Sequence, residues 1–105
     1  MELTLRTAQA QVDTWIKSTE AGYYKELTNL GILLEEAGEL ARVMVRKYGE
    51  QRSKATDLDK NLEDEMADVL WVLLCLANQT SIDLSHAFEK NMEKKNRRDK
   101  GTHVL

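Results

Sequence analysis

The chain has 105 residues and a mass of 12.0 kDa, with 42% hydrophobic and 31% charged residues. That is room for one domain with a core, and the chain is too apolar to stay disordered. Lys plus Arg is 15 and Asp plus Glu is 18, a net charge of −3, which argues against a protein built to grip a polynucleotide.

Proline is absent and glycine occurs five times, a composition suited to long helices joined by few turns. Cys75 is the single cysteine, so no intrachain disulfide forms, and its apolar neighbours mark it as a core residue. The N-terminus lacks the basic start and apolar run of a signal peptide. The longest apolar stretch stops at Ala77, well short of the roughly 20 residues that span a bilayer. A cytoplasmic protein with no membrane partner is expected.

Leu5, Ala8, Val12, Trp15 and Ile16 recur at helical spacing and predict a first helix from about Thr4 to Ser18. Gly22, Tyr23 and Tyr24 form the connection to a second helix, about Lys25 to Tyr48, with Gly49 as its stop. A polar stretch follows, containing Arg52 and Lys54. A third helix is predicted from about Asp59 to Gln79, and a fourth, capped by Ser81 or Asp83, ends near Lys100. The expected fold is one all-α domain over residues 1–105, a bundle of about four helices completed by homo-oligomerisation.

Two helices carry unusual carboxylates. On the second, Leu30, Leu33, Leu34, Ala37, Leu40, Ala41 and Met44 have the spacing of a core face. A different stripe runs Ile32, Glu36, Glu39, Val43, which sets two acids among apolar residues, with Glu35 flanking. On the third helix, Asp68 is the one charged residue in MADVLWVLLCLA. A helix apolar all round is expected to be buried, where an unpaired carboxylate costs several kcal/mol. Glu65 lies one turn before Asp68, so the two share a face and repel unless a cation sits between them. If the helices pack side by side, four carboxylates converge. Oxygen donors without His or Cys suit Mg²⁺, with Mn²⁺ as a substitute, and Mg²⁺ usually takes substrate phosphates as further ligands.

Glu35-Glu36-Ala37-Gly38-Glu39 followed by Glu65-Met66-Ala67-Asp68, with 25 residues between Glu39 and Glu65, resembles the EExxE…ExxD signature of MazG-like nucleotide pyrophosphohydrolases. The resemblance covers nearly the whole chain. It implies Mg²⁺-dependent hydrolysis of a nucleoside triphosphate at the α–β phosphate bond, giving the monophosphate and pyrophosphate. Glu36, Glu39, Glu65 and Asp68 are then the metal ligands. Glu35, beside Glu36 in the catalytic pair, orients or deprotonates the attacking water. Asn91, Lys94 and Arg98, spaced i, i+3, i+7 and matching an NxxKxxxR pattern of the family, would cradle the β- and γ-phosphates.

Trp15, Tyr23, Tyr24 and Trp71 are candidates for stacking on a base, and Gln11 and Asn29 for bonding its edge, although aromatic residues at such positions usually pack in a core. His86 and His103 receive no role. A ferritin-type di-iron bundle would want ExxH on two helices, and no candidate glutamate here has histidine three residues on. A non-catalytic dimerisation or nucleotide-binding module is the other alternative. The surplus of apolar surface predicts a homodimer or a tetramer built from dimers.

Overall fold

In the computed structural model we describe residues 2–49 and 61–99, which form four helices and no strand: α1 (Leu5–Ser18), α2 (Glu26–Tyr48), α3 (Leu62–Gln79) and α4 (Leu84–Asp99). Their bounds agree with the sequence to within three residues. Arg52, Lys54, Asp59, Lys100 and His103 lie outside the described residues.

Local chemistry sets each boundary. Thr4 and Thr7 close a reciprocal capping box at the start of α1, with bonds of 3.1 and 2.7 Å. Gly22 turns the chain toward α2 at φ +69°, a backbone conformation that favours glycine. The α2 stop works by close approach: the Gly49 N–H donates to the Val45 carbonyl, and a Cβ on Gly49 would lie 2.5 Å from that oxygen. Asn61 caps α3 by accepting from the Asp64 N–H at 3.2 Å, and Glu63, Asp64 and Glu65 occupy the first turn, where the helix dipole favours anions. Of the two candidate caps for α4, Asp83 is the one used. Its Oδ1 accepts from the backbone N–H of Ser85 and His86, and its Oδ2 pairs with Arg6 at 2.8 Å.

The principal packing is α2 against α3; α1 lies on α3, and α4 packs mainly on α1. Val12, Leu74 and Cys75 form a small core, covered by Ala8, Ile16, Tyr23 and Leu84. Even Cys75 keeps 3% of its surface exposed, and no described side chain is wholly enclosed.

Two expectations about the core are overturned. The leucine-rich face of α2 is the outer one. Leu30, Leu34, Ala37, Ala41 and Met44 are exposed, Leu34 by 67%, and only Leu33 and Leu40 of that set are half-buried. The stripe that meets α3 is the mixed one: Val43 is buried, while Ile32, Glu36 and Glu39 are half-buried. Likewise α3 is not enclosed all round. Met66, Leu70, Trp71 and Leu73 are exposed, so neither Trp71 nor Trp15 is the core residue that its spacing suggested. Periodicity finds apolar faces but does not say which of two will meet a neighbour within the same chain.

Candidate functional site

Because the mixed stripe of α2 faces α3, the acids of the two helices meet. Single carboxylate oxygens of Glu36, Glu65 and Asp68 lie within 4.8 Å of one another. Glu65 is the deepest at 7% exposure, and Asp68, expected in the core, is half-buried. Among the described residues no cation or hydrogen-bond donor pairs with these three side chains. Burial raises the Glu36 carboxyl above its ordinary range, and repulsion from Asp68, Glu65, Glu39 and Glu35 adds to the effect. Glu39 follows Glu36 by one turn on the same stripe but stands outside this close group; Glu35 is exposed beside it.

Next to the carboxylates is a cavity of about 310 Å³ between the end of α1, the α1–α2 turn, α2 and α3. Trp15, Trp71, Ile32, Val72, Cys75 and Asn29 are among its walls. The Trp15 and Trp71 rings meet edge to face, with centroids 5.4 Å apart and planes at 80°. Ile32 precedes Glu36 by one turn, and Val72 follows Asp68 by one turn, so the cavity and the acid cluster adjoin.

A polar network fixes the turn that walls this cavity. Asn78 Nδ2 donates to the Gln9 carbonyl at 2.9 Å and to Tyr23 Oη at 3.0 Å, and Tyr23 Oη donates to Asp13 Oδ1 at 2.7 Å. Gln9 itself is buried. Its side chain donates to the Ile82 carbonyl at 2.8 Å and accepts from the Leu84 N–H at 2.8 Å, tying α1 to the α3–α4 turn. Burial and the bond to Asp13 push the Tyr23 hydroxyl up to about 12, and the same bond, with help from Lys17, lowers Asp13. Sequence reasoning missed Gln9, Asn78 and Gln79, because an amide in a helix gives no periodic signal of the partner it will find.

The basic residues of α4 are not delivered to the carboxylates of their own chain. Asn91 is half-buried and accepts a hydrogen bond from Lys95, while Lys94 and Arg98 are exposed. α4 leaves α3 at 103°. At 1.5 Å per residue along each helix, Lys94 ends roughly 20 Å from Asp68.

Residues 24–103 match the model of the MazG nucleotide pyrophosphohydrolase domain. The chain belongs to the MazG family. Over 97 residues it is 46% identical to YpjD of Bacillus subtilis (strain 168), an uncharacterized protein, covering 92% of this chain and 87% of that one. A second uncharacterized protein of that organism, YvdC, is 31% identical over 100 residues, 85% of this chain and 93% of the relative. The crystal structure of YpjD, a pyrophosphatase candidate, superposes with a TM-score of 0.82 at 44% identity, over 91% of this chain and 98% of that one. The crystal structure of the Bacillus-conserved MazG protein, a nucleotide pyrophosphohydrolase, gives 0.78 at 40% identity, over 94% and 96%. This chain is thus an all-α MazG domain. Its described helices include no single one long and apolar enough to cross a membrane.

Proposed function

We propose that this MazG domain hydrolyses nucleoside triphosphates, ribo- or deoxyribo-, between the α- and β-phosphorus atoms, releasing the monophosphate and pyrophosphate in nucleotide-pool housekeeping. The observation that carries the proposal is the convergence of Glu36, Glu65 and Asp68 from two helices, with carboxylate oxygens within 4.8 Å of one another. Their chemistry fits a divalent cation. All donors are carboxylate oxygens, which suit Mg²⁺ or Mn²⁺, and a buried Glu65 without a counter-charge is costly unless a cation joins it. Glu36, Glu65 and Asp68 would hold the ion, with Glu39 next along the α2 stripe. When bound, Mg²⁺ supplies the positive charge that offsets the triphosphate and the charge developing on its oxygens.

The protein's own groups do the rest. Glu35, exposed beside the cluster, would orient the attacking water and accept its proton. Asn91, Lys94 and Arg98 bind the β- and γ-phosphates. Since α4 crosses α3 near the perpendicular and Lys94 ends roughly 20 Å from Asp68, these residues would come from a second copy. The charges suit that pairing: α4 carries Lys90, Lys94, Lys95, Arg97 and Arg98 against Glu89, Glu93 and Asp99, whereas the middle of α2 and the start of α3 carry Glu35, Glu36, Glu39, Glu63, Asp64, Glu65 and Asp68. Leu27, Leu30, Leu34, Met66 and Leu70 supply exposed apolar surface for the same association.

The test is a panel of canonical and modified nucleoside triphosphates, incubated with Mg²⁺, with Mn²⁺ or with EDTA. Metal-dependent formation of pyrophosphate plus monophosphate is expected. Orthophosphate release would refute the bond assignment. A folded, oligomeric protein inert to the whole panel would point to a non-catalytic nucleotide-binding module.

A further inference from the structure

The cavity beside the carboxylates contains one polar side chain that is buried yet only half satisfied. Asn29 is 5% exposed and lines the cavity. Its Nδ2 donates to Gln79 Oε1 at 2.7 Å, and among the described residues nothing donates to its Oδ1. Gln79 Nε2 in turn donates to the backbone carbonyl of Tyr24 at 2.5 Å. A backbone carbonyl can only accept, so Tyr24 fixes the polarity of the whole chain of bonds. Turning the Gln79 amide over would set its oxygen against the Tyr24 carbonyl. Turning Asn29 over would set its oxygen against that of Gln79. Neither amide is therefore free to flip, and Asn29 keeps an unpaired acceptor at the cavity wall.

Building on the pyrophosphohydrolase reading, we infer that this cavity takes the nucleobase, and that Asn29 Oδ1 accepts a hydrogen bond from an N–H on the base edge. Gln79 is the positioning residue that holds this polarity. Three observations support the assignment. Ile32 and Val72 line the cavity one turn from Glu36 and Asp68 respectively, so a base lodged there carries its phosphates toward the acids. Trp15, 57% exposed, offers aromatic surface for stacking. The volume of about 310 Å³ falls at the lower end for small-ligand sites, about 300 Å³ upward. A site that buries an acceptor selects strongly for a ligand presenting a donor at that point, because any other ligand leaves the acceptor unpaired.

The chain has two tryptophans, and both line this cavity, so tryptophan emission reports on it directly. The experiment titrates wild-type protein, free of metal, with the four nucleoside 5′-monophosphates. It then uses an analogue of the tightest one, alkylated so that the edge N–H is gone. Quenching that discriminates among bases is expected, with at least about tenfold weaker binding of the alkylated analogue. Asn29→Leu should abolish the difference between nucleotide and analogue, and Gln79→Leu should reduce it. Equal quenching by nucleotide and analogue, or none at all, on the wild-type protein overturns the inference without reliance on any variant. Pyrophosphate release from the matching triphosphates separates this failure from a failure of the reaction. Equal turnover of native and alkylated triphosphates removes the base pocket and leaves the reaction standing. No turnover of any triphosphate removes the reaction, and the inference with it.

Discussion

Three carboxylates within 4.8 Å of one another repel, and the raised Glu36 pKa expresses that strain together with burial. Added Mg²⁺ should therefore raise the melting temperature of the wild-type protein by several degrees, read by calorimetry, since a ligand that binds only the folded state stabilises it. Asp68→Asn should leave the fold intact, lose most of the Mg²⁺ shift, and lower turnover by at least about a hundredfold. Wild-type turnover by that variant would remove the metal-site reading. The Tyr23 hydroxyl makes a different prediction. Its folded pKa, pushed up to about 12, stands above the ordinary value of 10.0. Its contribution to stability is thus fully present below pH 10 and is lost as the pH rises toward 12, because the unfolded chain ionises first. Tyr23→Phe should flatten that alkaline limb of the unfolding curve and cost about 1 kcal/mol at neutral pH through its lost hydrogen bonds. The acids were legible in the sequence because a charge inside an apolar stripe is conspicuous. Gln9, Gln79 and Asn78 were not, because such an amide shows itself only through partners as many as 75 residues away, as in the bond from the Leu84 N–H to Gln9.

Element by element, capping and periodicity were sufficient to find the helices. The Thr4–Thr7 box, Asn61 and Asp83 each sit where a cap is needed, and Gly22 and Gly49 occupy positions where a side chain would be strained or crowded. The face that each helix buries was not legible. α2 has two apolar stripes, and the richer one, with Leu30 and Leu34, has no partner in the chain. The stripe interrupted by Glu36 and Glu39 meets α3 instead. α4 shows the same effect, since Phe88, one turn after the half-buried Leu84, is 60% exposed. At this scale Arg98→Ala should raise the KM for the triphosphate about tenfold with a smaller effect on kcat, because one charge-assisted phosphate contact is lost. Unchanged kinetics would return Arg98 to the solvated face of α4.

Leu30, Leu34, Met66 and Leu70 leave apolar surface of α2 and α3 uncovered within one chain. Light scattering should report at least twice the chain mass of 12.0 kDa. Leu34→Glu, harmless to an isolated chain because the site is already open, should shift the protein toward monomers and lower turnover with it. Mixing two inactive variants tests the shared site. If α4 of one copy serves the acids of another, Asp68→Asn and the double variant Lys94→Ala/Arg98→Ala should complement on mixing, restoring roughly a quarter of the sites at random pairing in a dimer. No recovery after demonstrated subunit exchange would show that α4 does not act across copies.

The sequence by itself determined the helical class, the four segments, the family and the three acids that α2 and α3 bring together, Glu36, Glu65 and Asp68. These depend on local periodicity, on capping chemistry and on residue types that are costly to bury without a partner. Only the tertiary structure decided which stripe of α2 meets α3, that Glu65 rather than Asp68 is the deepest acid, and that Asn29 is held by Gln79 and Tyr24 at a cavity wall. It also turned α4 away from the acid cluster. The physical reason is common to all four: a helix carries its apolar pattern locally, but which face is buried depends on what the rest of the fold brings against it.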